Sequence, residues 1–279
     1  MSLSAERKQY LEDLCKRFRI ELVELLYKIQ TGHPGGSLSA TEIITTLYFE
    51  ILNVDAKNAK CEDRDRFILA KGHAAPMLYF VLAEKGFFPK EDLETLRQLN
   101  SHLQGHPCAT KTRGVELSTG PLGLGLPAGL GMALGAKLNQ KDFYTYVLLG
   151  DGEIQEGIVW EAAMSAAKFK ADNLIAILDN NNVQLDGTVD EIMPMGDIGA
   201  KWKAFGWNVI HIDGHNVEEI YDAIQQAKAV KGMPTIIIAK TVKGKGVSFM
   251  EGKNVWHGKP IGDEDYKKAM VELGGTING

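Results

Sequence analysis

The stretch that most restricts the fold is YVLLGDGEIQEGIVWEAAMSAAKFKADNLIAILDNNNVQLDG, residues 146–187. Residues 143–149 and 174–179 are short apolar runs of strand length, and residues 153–169 between them carry helical periodicity with an Ala-rich face. Strand, helix and strand at this spacing form a βαβ unit, whose crossover joins parallel strands. A right-handed crossover brings the carboxyl ends of both strands to one edge of the sheet. Asp151 and Asn181, each just past a strand end, are therefore expected to face one small volume.

The rest of the chain extends the same pattern. Residues 5–30 read as a helix, and Ser39 three positions before Glu42 has the spacing of a capping box opening another. Residues 65–70 read as a strand, followed by the loop KGHAAP and an apolar helix; Pro89 starts a helix over 89–100. A helix over 127–139 is rich in small residues, whose glycines suit close packing. Strands are expected at 207–213 and 234–241 with a helix at 217–230 between them, and a Gly/Lys loop carries His257. With no linker and no internal repeat, the economical architecture is one doubly wound α/β domain over residues 1–279. Its sheet is mostly parallel with helices on both faces, and ligands are expected at the carboxyl ends of the strands.

Composition narrows the function classes. A net charge of −5, with Lys and Arg spread along the chain, argues against nucleic acid as a partner. The longest apolar tract, GPLGLGLPAGLGMALGA, is too short and too broken by Gly and Pro for a membrane span, and MSLSAERKQY lacks the apolar core of a signal peptide. Cys15, Cys61 and Cys108 have no metal-ligand spacing and no disulfide framework, so a reduced, cytoplasmic location is expected. Of thirty glycines, eighteen cluster at residues 32–36, 105–135, 150–157 and 244–258, as in loops that approach a ligand closely or turn tightly.

A carboxylate at Asp151, an amide oxygen at Asn181 and a backbone carbonyl such as that of Val183 make an all-oxygen set suited to Mg²⁺ or Ca²⁺. Protein supplies few of the ligands of Mg²⁺, and phosphate oxygens commonly complete the octahedron. Gly150 and Gly152 leave room for a phosphorylated group, and a helix N-terminus just beyond would favour its charge. Gly-Asp-Gly alone is a common turn and Asn-Asn-Asn alone a polar loop. The two together, at successive strand ends, point to a metal-bridged diphosphate.

GDG, 27 intervening residues and NNN resemble the thiamine diphosphate signature. TGHPGGSLSATEI, KGHAAP, GHP, STGPLGLGL, GDGEIQEGIVWEA and KTVKGKGVSFMEGKNVWHGKP follow in the order seen in transketolases, from about residue 20 to residue 260. The resemblance implies metal ligation by Asp151, Asn181 and the Val183 carbonyl (Mg²⁺, with Ca²⁺ or Mn²⁺ as substitutes) and contact of Gly152 with the diphosphate. It places Lys71, His73 and Lys243 near that group, and Gly120, Pro121 and Leu122 along the aminopyrimidine. His33, His106 and His257 match histidines of the substrate channel, where they would bond sugar hydroxyls and move protons. Glu156 and Glu161 match acids at a subunit interface that link two active sites. His102, His211 and His215 read as ordinary structural residues.

The resemblance also implies a division of labour. Full transketolases carry a pyrimidine-binding domain, with a glutamate needed to activate the cofactor, and a C-terminal domain; residues past 260 resemble neither. The expectation is the N-terminal subunit of a split transketolase, active with a separate C-terminal subunit in a heterotetramer and moving a two-carbon glycolaldehyde unit from a ketose phosphate to an aldose phosphate, in pentose phosphate type chemistry. Relatives specialised for apulose phosphate or sulfo-sugars, 2-oxo acid dehydrogenases and 1-deoxyxylulose-5-phosphate synthase are the rival enzymes. The histidine loops favour ketoses over 2-oxo acids, and KNVWHGKP favours transketolase over the synthase. An orphan cofactor-binding module is the non-enzymatic alternative.

Overall fold

A computed structural model describes residues 2–277. Its frame is a five-stranded, wholly parallel sheet in the order β1-β2-β3-β5-β4, built from β1 (Arg66–Leu69), β2 (Thr145–Gly150), β3 (Leu174–Asn180), β4 (Asn208–Asp213) and β5 (Thr235–Lys240). Ten α-helices are found among the described residues: α1 (Ala5–Ile29), α2 (Pro34–Ser39), α3 (Thr41–Thr46), α4 (Ala75–Glu84), α5 (Gly125–Leu138), α6 (Gly157–Lys168), α7 (Val189–Ile192), α8 (Ile198–Ala204), α9 (Val217–Ala229) and α10 (Asp263–Leu273).

Alternation along the strands divides the core. Phe67, Leu69, Tyr146, Leu148, Ile175, Ile177 and Ile237 point to the face covered by α1, α3, α4, α9 and α10. Ile68, Val147, Leu149, Leu174, Ala176, Ile236 and Ile238 point to the face covered by α5, α6 and α8. Both faces being covered, the central strands are near-continuous apolar runs, as a parallel sheet requires. Close packing of α5 depends on its inner glycines: a Cβ on Gly129 would stand 2.6 Å from Val147 Cγ2, while Gly131 and Gly135 face open space.

Three local expectations are corrected. Ser39 and Glu42 form no capping box, because both are buried and committed elsewhere: Ser39 Oγ donates to Asp179 (2.6 Å), and Glu42 pairs with Arg19 and His215. Over 89–100 only a 3₁₀ turn forms (Lys90–Thr95), since Arg97 and Asn100 take positive φ of 64° and 67° and end it. The helix expected over 153–169 begins at Gly157; a 3₁₀ turn, Glu153–Gln155, precedes it and Glu156 is extended. Glu156 is thus the N-cap residue of α6, and the helix N-terminus lies further from Gly152 than the sequence pattern implies.

Candidate active site

The βαβ unit does what its pattern predicts. β2 and β3 are adjacent and parallel, with Gly150 in register with Asp179, so Asp151 and the run 180–182 leave the sheet side by side. Asn182 turns the chain with φ 59° and donates its backbone N–H to Asp151 Oδ2, while Gly152 N donates to Asp151 Oδ1 at 2.8 Å. A short antiparallel bridge, Val183 to Thr188, then folds the loop back.

A cavity of about 380 Å³ opens at this edge, and Asp151, Asn181 and Val183 line it together. Lys243 and His257, from the segments after β5, complete one wall. The Lys243 ammonium donates to the Val183 carbonyl at 3.0 Å and to His257 Nδ1 at 2.9 Å. Burial and the nearby Lys71 charge lower its pKa to about 8. Asp151 moves the other way: burial, reinforced by Asp179, raises its carboxyl to about 7 despite two backbone N–H donors. Among the described residues it has no ion pair.

Below this rim is a closed floor. Asp179 and Lys71 are buried against each other, and Asp179 also accepts from Ser39 Oγ and Thr241 Oγ1. Lys71 donates further to Gly36 O at 2.9 Å and Ser39 Oγ at 3.3 Å. Burial pulls the Asp179 pKa upward, but the Lys71 charge and the hydrogen bonds outweigh it and hold the carboxyl below its ordinary range.

Four histidines from four separate segments meet over the cavity. His33 lies with ring centroids 5.6 Å from His73, 5.9 Å from His106 and 5.4 Å from His257; His73 and His257 are 4.7 Å apart. All four are held toward the neutral form. Burial and then Arg97 lower His33 to about 4, burial and then Lys243 lower His257 to about 3, and burial depresses His73 and His106 as well.

Most of the residues singled out in the sequence converge here. His33, Lys71, His73, His106, Gly120, Leu122, Asp151, Gly152, Glu156, Asn181, Val183, Lys243 and His257 all line the one cavity; Pro121 does not. Lys71 lines it with a side chain whose ammonium is directed to protein acceptors, so its effect on a ligand is through its field. Glu156 is exposed at the mouth and Glu161 is exposed on α6. His215 is internally satisfied, with Nδ1 on Glu42 at 2.9 Å and Nε2 accepting from Val242 N at 2.9 Å.

Two acids escaped the sequence reading. Glu153 is buried and ties Gly123 N (2.9 Å) to Gly150 N (3.0 Å), which anchors the 120–124 loop to the end of β2. Asp179 is the floor carboxylate. Its signal was present: a charge inside the otherwise apolar strand LIAILDN has to be paired where it is buried. Glu153 stands two residues from Asp151 and had no such contrast.

The oxygen donors fit a divalent cation. They are one carboxylate, one amide oxygen and one carbonyl, and among the described residues no group of three or more His, Cys, Asp or Glu offers an alternative. A buried carboxylate raised to about 7 with no ion-pair partner is the group that a cation would stabilise, and a lone charge leaves further coordination positions for phosphate oxygens.

The chain belongs to the transketolase family: residues 11–277 match the family described as "Transketolase, thiamine diphosphate binding domain". It is 44% identical over 251 residues to the 6-deoxy-6-sulfo-D-fructose transketolase subunit SqwG of Clostridium sp. (strain MSTE9), covering 90% of this chain and 91% of that subunit. It is 42% identical over 267 residues to an apulose-4-phosphate transketolase subunit of Phocaeicola vulgatus, covering 96% of this chain and 95% of that one. The transketolase of Campylobacter jejuni superposes with a TM-score of 0.90 and 37% identity, covering 96% of this chain and 43% of that enzyme. This chain therefore spans less than half of that transketolase and nearly all of the two subunits. It is a thiamine diphosphate-binding domain and an N-terminal subunit of transketolase type, and the subunit relatives imply a partner chain. No helix among the described residues is long and apolar enough to cross a membrane.

Proposed function

We propose that this chain is the diphosphate-binding half of a split, cytoplasmic transketolase that transfers a two-carbon glycolaldehyde unit from a ketose to an aldose. The observation that carries the reading is the meeting, in one cavity, of three oxygen donors, the buried cation Lys243 and a neutral four-histidine cluster. Thiamine diphosphate supplies the nucleophilic carbon and electron sink that carbon–carbon cleavage of a ketose requires. Asp151, Asn181 and the Val183 carbonyl would hold a divalent cation, Mg²⁺ or in its place Ca²⁺ or Mn²⁺, against its diphosphate, and Lys243 would add charge-assisted hydrogen bonds. Gly120 and Leu122 would border its aminopyrimidine. His33, His106 and His257 remain neutral at neutral pH and so are free to hydrogen-bond sugar oxygens.

The partner is a C-terminal subunit carrying the pyrimidine-binding domain, assembled as a heterotetramer of two copies of each chain. Glu156, exposed at the cavity mouth, is placed for that interface. The two subunit relatives are named for donors with a distal anion, a sulfonate in one and a phosphate in the other. A ketose with a distal anionic group is accordingly the donor class, and a specialised sugar is favoured over a pentose phosphate intermediate.

The test uses the tagged chain as bait in extract from its own source. Recovery of a partner of ~300 residues, the size of two further domains, with glycolaldehyde transfer by the complex and none by the lone chain, is expected. Recovery of the chain alone in the presence of thiamine diphosphate and Mg²⁺ would instead support an orphan binding module. Ranking sulfo-ketose, branched ketose phosphate and xylulose 5-phosphate by kcat/KM then identifies the donor.

A further inference from the structure

Arg97 plays no part in the assignments above, yet it touches the histidine cluster. Its NH2 group lies 3.2 Å from His33 Nδ1, and its NH1 donates to Thr31 Oγ1 at 3.0 Å. The residue sits at φ 64°, with its backbone N–H on Leu103 O at 3.0 Å. A Cβ at position 105 would come within 3.1 Å of its guanidinium carbon, so Gly105 leaves the group its space. Arg97 has no ion pair among the described residues, and its Nε is buried without a hydrogen-bond partner. A half-buried guanidinium with no carboxylate is a costly arrangement, and its two bonded arms hold one face of the site.

A guanidinium donates and never accepts. His33 Nδ1 must therefore be the acceptor, which leaves the imidazole proton on Nε2. Nε2 has no protein partner among the described residues, and His33 lines the cavity. We propose that Arg97 is a positioning residue that fixes His33 as the Nε2–H tautomer, so that His33 meets the substrate as a hydrogen-bond donor to a sugar oxygen and not as a proton acceptor. The consequence for substrate rests on the transketolase reading; the tautomer itself does not. The charged and titratable groups facing His33 are Arg97, His73, His106, His257 and Lys243, and none of them is an acid. No neighbouring carboxylate competes for the ring proton.

The experiment is ¹⁵N NMR of the full chain labelled at histidine, with the His33 signals assigned by their loss in His33→Gln. The expected result at neutral pH is a protonated Nε2 and an unprotonated Nδ1. In Arg97→Met the His33 signals should shift toward a tautomer mixture, and the ring should titrate closer to the ordinary imidazole range. Arg97→Lys, which keeps a cationic donor, should restore the Nε2–H form. A wild-type ring protonated at Nδ1, or a tautomer ratio unchanged in Arg97→Met, would overturn the proposal. If Arg97→Met disturbs the other six histidine signals, the wild-type ring carries the test: Nε2–H supports the proposal and Nδ1–H refutes it. In the complex with its partner, KM for the ketose should rise about tenfold in Arg97→Met, the scale of one hydrogen bond, with kcat changing less. A confirmed tautomer without any transferase activity would refute the transketolase reading and leave this one standing.

Discussion

The floor and the rim of the cavity put two carboxylates on neighbouring strands in opposite states. Asp179, at the end of β3, is surrounded by Lys71, Ser39 and Thr241 and is held below the usual carboxylate range. Asp151, one step past the end of β2, is equally buried, receives only backbone N–H groups and is raised to about 7. The difference is the ammonium. A buried carboxylate with a hydrogen-bonded cation is complete, whereas one without is disposed to take up a proton or a metal. The fold thus separates a structural acid from a binding acid within a few ångströms of sheet edge, and the lysine decides which is which.

The largest effect is expected from breaking the floor. Asp179→Asn leaves the Lys71 charge buried without its counterion and should cost about 3–5 kcal/mol of unfolding free energy, read by urea denaturation. Asp179→Leu combined with Lys71→Met should recover most of that loss, because the penalty belongs to the unpaired charge. Equal destabilisation in the single and double variants would show that the pair contributes mainly shape.

The rim should respond in the opposite sense. Asp151→Asn removes a carboxylate that the fold holds against burial, so stability without metal should not fall at neutral pH. Divalent-dependent binding of thiamine diphosphate should fall by about 100-fold or more, as measured by calorimetry. Linkage sharpens the contrast. The Asp151 pKa is raised from 3.8 to about 7, so the folded state binds the proton first and its stability declines as pH rises through that window. Asp151→Asn should therefore gain on the wild type between pH 4 and pH 8. A variant that loses ground toward pH 8 would mean that Asp151 is already compensated.

Acid should expose a third behaviour. His33 and His257 titrate in the fold at about 4 and about 3 against a usual 6.5, so the unfolded chain takes up these protons first as pH falls below 6.5. Glu42, between Arg19 and His215, is lowered from 4.5 to about 2; burial opposes this shift and the Arg19 charge outweighs it. Its contribution is full above pH 4.5 and is lost toward pH 2. Both effects lower stability as pH falls, the histidines first and Glu42 afterwards. A midpoint temperature that rises from pH 6.5 to pH 4 would show that the rim acids dominate the cluster.

The parallel sheet was legible because 143–149, 153–169 and 174–179 alternate apolar runs and helical periodicity over lengths that only a βαβ unit accommodates. Asp151 and Asn181 followed from topology, since consecutive parallel strands share a carboxyl edge. The boundaries that failed did so where tertiary contacts overrode local pattern. Ser39 and Glu42 have capping spacing, yet each is drawn into a buried ion network by a partner more than a hundred positions away, Asp179 for Ser39 and His215 for Glu42. The break before α6 arises because Glu153 commits its carboxylate to Gly123 and Gly150, a contact invisible in the sequence. The direction of Lys71 was likewise out of reach, for its motif locates the residue near a phosphate site while its ammonium turns to Asp179.

Ser39 gives the mildest test of the floor. Its hydroxyl donates to Asp179 at 2.6 Å and so supplies one of the bonds that keep the carboxylate charged, while Lys71 supplies the counterion. Ser39→Ala should cost about 1.5–3 kcal/mol, the range for losing a hydrogen bond to a charged group, below the cost of Asp179→Asn. It should also raise the Asp179 pKa and move the acid-unfolding limb to higher pH. If Ser39→Ala proves as damaging as Asp179→Asn, then the hydroxyl, and not the lysine, is what distinguishes the paired acid from the one left for a metal.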